Sequence, residues 1–191
     1  MTAVSIIGTG AMANAIGGVL AGGGATVEYI GHSEKTDTVS GEIVVLAVPY
    51  PAVSGIIAQY GDQLSGKIVV DITNPLNFET FDSLTVPQGS SAAAEIAAVL
   101  PESRVLKAFN TTFAATLGAK KVGPLQTTVL IAGDDAEAKS ALSALVAAGG
   151  VAAIDAGSLR RAHELEALGF LQLTLAAGEQ IAWTGGFGLV R

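Results

Sequence analysis

Val4-Ser5-Ile6-Ile7-Gly8-Thr9-Gly10-Ala11-Met12-Ala13 runs straight into Asn14-Ala15-Ile16-Gly17-Gly18-Val19-Leu20. A short apolar run ends in Gly-x-Gly-x-x-Ala, and the residues after it can carry an apolar helical face. This pattern predicts the strand, tight turn and helix of a dinucleotide-binding unit. Gly8 permits the turn, Gly10 lets backbone approach a pyrophosphate, and Ala13 lets the helix lie close on the strand. The helix N-terminus then offers unpaired N–H groups and a partial positive charge, so Gly8, Thr9, Gly10, Ala11 and Met12 form the expected cradle. A chain with 24 glycines produces some such matches by chance. The position of this one, at the first strand, gives it weight.

Composition narrows the partners. The 191 residues suit one domain, or a domain with a small appendage, and half of them are hydrophobic. The net charge is −7, with no basic block or interleaved aromatic stripe, which argues against nucleic acid and anionic membrane as partners. An anionic ligand must therefore be held by local donors. The chain has no cysteine, so disulfides, thiolate catalysis and cysteine-ligated metals are excluded. The start lacks a basic segment and cleavage site, and no long uninterrupted apolar run follows, which together predict a soluble, cytoplasmic protein.

The remaining elements are read from periodicity and punctuation. Strands are expected at Ala3 to Ile7, Thr26 to Ile30, Ile43 to Val48, Lys67 to Ile72, Arg104 to Ala108, Thr127 to Ala132 and Val151 to Asp155. Helices are expected at Ala11 to Ala21, Pro51 to about Tyr60 and Ala92 to Leu100, then after Asp134, which with Glu137 reads as a capping box. Ser158 is expected to cap a last long helix from Leu159 to Ala182. Gly31 to Glu42 is too short for the helix and third strand of a complete dinucleotide fold. Strand two, with its polar Glu28, is thus expected at an exposed sheet edge.

Strands alternating with helices imply an α/β, doubly wound, mostly parallel sheet of the Rossmann NAD(P)-binding type, lacking the usual third strand and carrying a C-terminal helical extension. Residues 1–157 form the dinucleotide-binding part and 158–191 a helix and tail packed on it. In such a sheet, ligands lie beyond the carboxyl ends of the strands. Four loops leave those ends: Gly8 to Met12, Pro49 to Pro51, Thr73 to Leu76, and Phe109 to Thr111.

The end of strand two reads Gly31-His32-Ser33-Glu34-Lys35, a set of small, hydroxyl, imidazole and ammonium groups. These can bind a 2′-phosphate, which favours NADP(H) over NAD; as a plain loop they would simply be solvated. Asn74 and Asn110 can bond a nicotinamide carboxamide or a substrate edge, although Asn before Pro also suits a turn. Phe109 and Phe113 can wall a flat ring or fill the core. His163, beside Arg160, Arg161 and Glu164, reads as part of a solvated helix face. No His–carboxylate dyad, activated nucleophile or metal-ligand cluster is evident, and no catalytic residue is assigned. Hydride transfer between two bound rings depends more on orientation and water exclusion than on a protein acid.

Four motifs occur in order: Ile7-Gly8-Thr9-Gly10-Ala11-Met12, Leu46-Ala47-Val48-Pro49-Tyr50, Val105-Leu106-Lys107-Ala108-Phe109-Asn110-Thr111 and Asp155-Ala156-Gly157-Ser158-Leu159. Together they resemble the NADP-dependent reductases of the deazaflavin coenzyme F420, and the cytoplasmic domain of the six-transmembrane ferric reductases is similar. A compact bacterial subgroup of NADP-binding oxidoreductases resembles the chain more fully, through Asp71-Ile72-Thr73-Asn74-Pro75-Leu76-Asn77 and Trp183-Thr184-Gly185-Gly186-Phe187. The resemblance implies pyrophosphate at Gly8 to Met12, the 2′-phosphate at His32, Ser33 and Lys35, and the nucleoside side along Ala47, Val48, Pro49 and Tyr50. It places Asn74, Pro75, Phe109 and Asn110 around the nicotinamide and acceptor. It also implies a homodimer through the C-terminal helices.

Two departures are visible. Those reductases carry Ser-Arg after strand two, where this chain has His32-Ser33, and they retain the segment missing between Gly31 and Glu42. The expected function is hydride transfer between NADPH and a flavin, deazaflavin or small organic acceptor. The alternative is an NADP(H)-binding redox-sensing module without turnover. A pyrroline carboxylate reductase-like imine reductase fits less well, because little sequence remains after Ser158 for its larger helical domain.

Overall fold

The computed structural model describes residues 1–31 and 38–190. In chain order the elements are β1 (Ala3–Ile7), α1 (Ala11–Gly22), β2 (Thr26–Ile30), β3 (Ile43–Leu46), α2 (Val53–Leu64), β4 (Ile68–Asp71), α3 (Ala92–Val99), β5 (Arg104–Lys107) and α4 (Ala114–Ala119). A two-stranded hairpin, β6 (Lys121–Val122) and β7 (Leu125–Gln126), precedes β8 (Thr128–Gly133), α5 (Ala136–Ala148), β9 (Ala152–Gly157) and α6 (Ala162–Ala177).

Seven strands form one sheet in the order β2-β1-β3-β4-β5-β8-β9. The first five are parallel, β8 runs antiparallel to β5, and β9 is parallel to β8. This is the expected doubly wound architecture. The central strands β3 and β4 are buried along their whole length, as strands covered by helices on both faces must be. On one face Ile16, Leu20, Leu117, Leu142 and Val146 of α1, α4 and α5 pack on the sheet. On the other, Tyr60, Leu64, Ala93, Ile96 and Ala162 of α2, α3 and α6 do so.

Strand β2 is the edge strand, and Gly31 and residues 38–42 hold no strand or helix. Glu28 is turned toward the chain's own hydroxyls: its carboxylate accepts from the Ser5 hydroxyl and from Ser40 N and Oγ. Burial alone would raise the Glu28 pKa, but those hydrogen bonds outweigh it and hold the carboxyl below its ordinary range.

Several boundaries differ from expectation. β3 ends at Leu46; Ala47 N still donates to the Ile7 carbonyl at 2.9 Å, and Ala47 and Val48 become wall residues. A 3-10 turn at Tyr50–Ala52 precedes α2, which runs on to Leu64. Asp135, not Asp134, caps α5 by accepting from Ala138 N at 2.7 Å, while Asp134 accepts from Leu159 N at 2.9 Å. The one-residue shift frees Asp134 to tie the turn after β9. The Ser158 hydroxyl caps nothing; a 3-10 turn at Leu159–Arg161 leads into α6, which stops at Ala177 before Gly178. The short helix α4 and the hairpin after it carry no periodicity long enough to read from sequence.

Candidate functional site

The glycine loop is built as a tight turn. Gly8 holds φ at +128°, and a Cβ there would lie 2.1 Å from the Ala47 carbonyl oxygen. Any side chain is excluded by both conformation and space. A Cβ on Gly10, by contrast, would meet nothing within 4 Å, so that backbone faces open space. Gly10 is the N-cap of α1, without a side-chain cap and with no acidic residue in the first turn. The Asn14 amide donates to the Thr9 and Gly10 carbonyls, each at 3.0 Å, and pins the loop. The result is a helix N-terminus with unpaired donors and no carboxylate to repel an anion, which fits a dinucleotide pyrophosphate.

Two clefts meet at this loop. One, of about 410 Å³, is lined by Gly8, Thr9, Gly31, Val48 and Gln59 among others, with no carboxylate among its described residues. The other, of about 860 Å³, lies on the far side of Gly10, Ala47, Val48 and Pro49, which belong to both. All four predicted loops reach the larger cleft. Its walls include Met12, Tyr50, Asn74, Phe109, Asn110 and Phe113, joined by Trp183 from the tail. Together the clefts form an elongated groove over the carboxyl ends of β1, β3, β4 and β5, which suits a ligand with two rings joined across a charged middle.

The predicted residues take different parts. His32, Ser33 and Lys35 lie outside the described residues. Phe109 closes the base of the larger cleft from the core, buried and with φ at +64°. Phe113 stands against Trp183, with ring centroids 5.0 Å apart. Pro75 is buried outside the cleft wall, where its carbonyl anchors Thr85 N at 2.6 Å and Thr85 Oγ1 at 2.9 Å. His163 is part-buried and its Nδ1 bonds the Ser90 carbonyl at 2.9 Å, so it ties α6 to the loop before α3.

The two asparagines bond each other. Asn74 Nδ2 donates to the Asn110 carbonyl and Asn110 Nδ2 to Asn74 Oδ1, both at 2.9 Å; Asn110 Nδ2 also reaches the Leu165 carbonyl at 2.8 Å. Gly169 of α6 makes room for this pair, since a Cβ there would fall 2.2 Å from Asn74 Oδ1. Asn74 thus positions Asn110 with one N–H and one lone pair of its amide, and it still lines the cleft.

Beneath them lies a charge cluster that sequence reading missed. Lys107 Nζ pairs with Asp71 Oδ2 and Glu166 Oε1, each at 2.8 Å, and donates to the Thr73 carbonyl. Glu166 Oε2 accepts from Ala92 N at 2.9 Å and so caps α3. Burial drives the Glu166 pKa up, against the opposing pull of Lys107. A signal existed: Asp71 and Lys107 each close an apolar strand, where an unpaired charge is not tolerated. Tyr50 donates to the Glu95 carboxylate. Burial first, then that bond and the nearby negative charges, push its phenol well above the usual range.

A family model described as NADP oxidoreductase, coenzyme F420-dependent, matches residues 26–75. An F420-dependent NADP reductase of Methanocaldococcus jannaschii is 34% identical over 149 residues, covering 76% of this chain and 66% of that protein. The rat metalloreductase STEAP3 is 32% identical over 181 residues, covering 86% of this chain and 36% of that protein. The chain therefore spans just under two thirds of the archaeal relative and about a third of the rat one. The crystal structure of a candidate F420-dependent NADP reductase from Arthrobacter sp. FB24 superposes with a TM-score of 0.86 at 23% identity, covering all of both chains. That likeness concerns the fold.

Proposed function

We propose that this chain, similar to the coenzyme F420-dependent NADP reductases, binds NADP(H) in the groove and moves hydride between NADPH and a flat acceptor. The acceptor class is a flavin, a deazaflavin or a small organic electrophile. The observation that carries this reading is the pair of clefts joined at Gly10, Ala47, Val48 and Pro49 over the strand ends. Bound NADPH supplies a hydride from its nicotinamide C4.

The protein's part is binding, orientation and exclusion of water. Gly8 to Met12 hold the pyrophosphate through backbone donors at the start of α1. The smaller cleft takes the adenosine half, and the lack of a carboxylate among its described walls suits a 2′-phosphate. His32, Ser33 and Lys35, which follow the Gly31 wall in sequence, are the groups proposed to bind that phosphate. Val48 to Tyr50 form the partition between the halves. The larger cleft, with apolar walls from Ile72, Phe113, Leu173 and Trp183, takes the nicotinamide and the acceptor ring together. These walls would orient two planar rings and limit their contact with water, which is the main requirement of hydride transfer.

We place residues 158–191 as an extension of the dinucleotide domain 1–157, and as the face on which two copies pair. The exposed Leu171, Phe187, Leu189 and Val190 support that pairing. No helix among the described residues is long and apolar enough to cross a membrane.

Loss of NADPH absorbance, with FMN, FAD, riboflavin, deazaflavin and quinones offered in parallel and NADH as control, tests the proposal. Turnover with one acceptor and preference for NADPH are expected. Saturable NADPH binding with no turnover would instead favour a redox-sensing module. That reading draws on the described lining of the larger cleft, in which Tyr50 is the only titratable group. No binding of either nucleotide overturns both.

A further inference from the structure

Thr73 and Asn110 are 3% and 4% exposed, and both line the larger cleft. Thr73 Oγ1 and Asn110 Oδ1 are the buried side-chain polar atoms left without a hydrogen-bond partner among the described residues. Buried polar atoms are almost always paired, because each unpaired one bears its full desolvation penalty. Two on neighbouring loops of one cleft call for a common cause.

The rest of each residue is fixed. Thr73 N donates to Asp71 Oδ1 at 2.8 Å, and the Thr73 carbonyl accepts from Lys107 Nζ. Asn110 Nδ2 faces two acceptors, Asn74 Oδ1 at 2.9 Å and the Leu165 carbonyl at 2.8 Å. Rotating that amide by half a turn would set oxygen against two oxygens, so the network itself dictates which atom is left over. Asp71 and Lys107 are register partners on adjacent parallel strands, so the loops carrying Thr73 and Asn110 emerge side by side. One residue retains a free acceptor and the other a hydroxyl able to donate, each held in place by the bonds of its remaining polar atoms.

We propose that Thr73 and Asn110 form a subsite for an amide or imide group, a C=O beside an N–H, on a ring bound in the larger cleft. Asn110 Oδ1 accepts from the N–H and Thr73 Oγ1 donates to the C=O. Asn74, whose amide bonds Asn110, is a positioning residue. The proposal rests on the NADP(H) reading above. Two rings expected there carry the chemistry: the nicotinamide, through its carboxamide, and a flavin-type acceptor, through its imide edge.

Calorimetric titration of the whole chain separates them. Wild type, Thr73→Val and Thr73→Ser are titrated with NADP+, with 3-acetylpyridine adenine dinucleotide phosphate, which keeps the C=O but lacks the N–H, and with 2′,5′-ADP, which lacks the ring. If the carboxamide is read, the acetylpyridine analogue binds wild type about tenfold more weakly than NADP+. Thr73→Val then loses a similar factor for NADP+ and none for 2′,5′-ADP, while Thr73→Ser retains binding. If the acceptor is read, the two dinucleotides bind alike in all three proteins. The loss then appears for riboflavin against 3-methylriboflavin on the NADP+-loaded protein, and Thr73→Val weakens riboflavin. A Thr73→Val protein at least as heat-stable as wild type is expected, because it no longer buries an unpaired hydroxyl. Equal binding of every ligand pair by wild type and Thr73→Val overturns the subsite and leaves the cofactor reading standing. Failure of wild type to bind both NADP+ and 2′,5′-ADP removes the cofactor reading and the subsite with it.

Discussion

Lys107 Nζ stands 2.8 Å from Glu166 Oε1, with both side chains at most 1% exposed, and this pair fastens α6 to the carboxyl end of β5. Asp71 closes the cluster from β4, and Glu166 extends it to the first N–H groups of α3. One ammonium therefore holds four elements under the floor of the cleft. It also grips the Thr73 carbonyl, which fixes the loop that lines the cleft.

Replacing Lys107 by Met would leave two buried carboxylates without a counter-charge. Breaking a buried pair from one side costs about 3–5 kcal/mol. For a chain of this size, that is a fall in Tm of roughly 10 °C. Scanning calorimetry of Lys107→Met against wild type measures it; an unchanged Tm would show that the cluster contributes nothing net to stability.

Glu166 also predicts a pH dependence. Its folded-state pKa is raised above the ordinary 4.5, so the folded protein binds more protons than the unfolded chain between those two values. Stability from this group is therefore greatest below about pH 4.5 and declines as pH rises through the folded pKa. Urea unfolding between pH 5 and 8 should show wild type losing stability with rising pH relative to Glu166→Gln. A pH-independent difference between the two would contradict the raised pKa.

Gly169 and Gly18 give opposite expectations for the same substitution. Alanine in a helix interior gains up to about 1 kcal/mol over glycine when space is free. Gly18 is exposed, and a methyl added there would meet nothing within 4 Å, so Gly18→Ala should raise stability. At Gly169 the methyl would fall 2.2 Å from Asn74 Oδ1 and 2.9 Å from the Asn110 carbonyl, so Gly169→Ala should lower stability and weaken NADP+ binding together. Denaturant midpoints and titrations of the two variants decide it; a Gly169→Ala protein as stable as Gly18→Ala would mean that α6 is free to shift.

Trp183 is the only tryptophan of the chain, half exposed on the rim of the larger cleft and tilted against Phe113, with ring planes 52° apart. Its emission overlaps dihydronicotinamide absorbance, so NADPH should quench its fluorescence more than NADP+ does. Trp183→Ala should raise KM for the acceptor several-fold through lost ring contact, with 2′,5′-ADP affinity unchanged. Equal quenching by both nucleotides would place the reduced ring away from this wall.

Much of the molecule follows from sequence alone. The apolar runs of β3 and β4 could be satisfied only by a sheet covered on both faces, and Gly8 marks the first turn because no side chain fits there, while Gly10 leaves its backbone open to a ligand. Short-range physics of this kind, namely period, turn chemistry and size, also sets the edge position of β2 and the four loops above the strand ends. The rest depends on residues far apart in the chain. Lys107, Asp71 and Glu166 are separate in sequence, and only the strand register with the return of α6 brings their charges together. The roles of Asn74 and Asn110 divide for the same reason: which amide positions the other and which oxygen is left over depends on Leu165 and Gly169 of a helix more than 50 residues later. Local sequence specifies conformation, whereas burial and pairing of polar groups are settled by what the completed fold places opposite them.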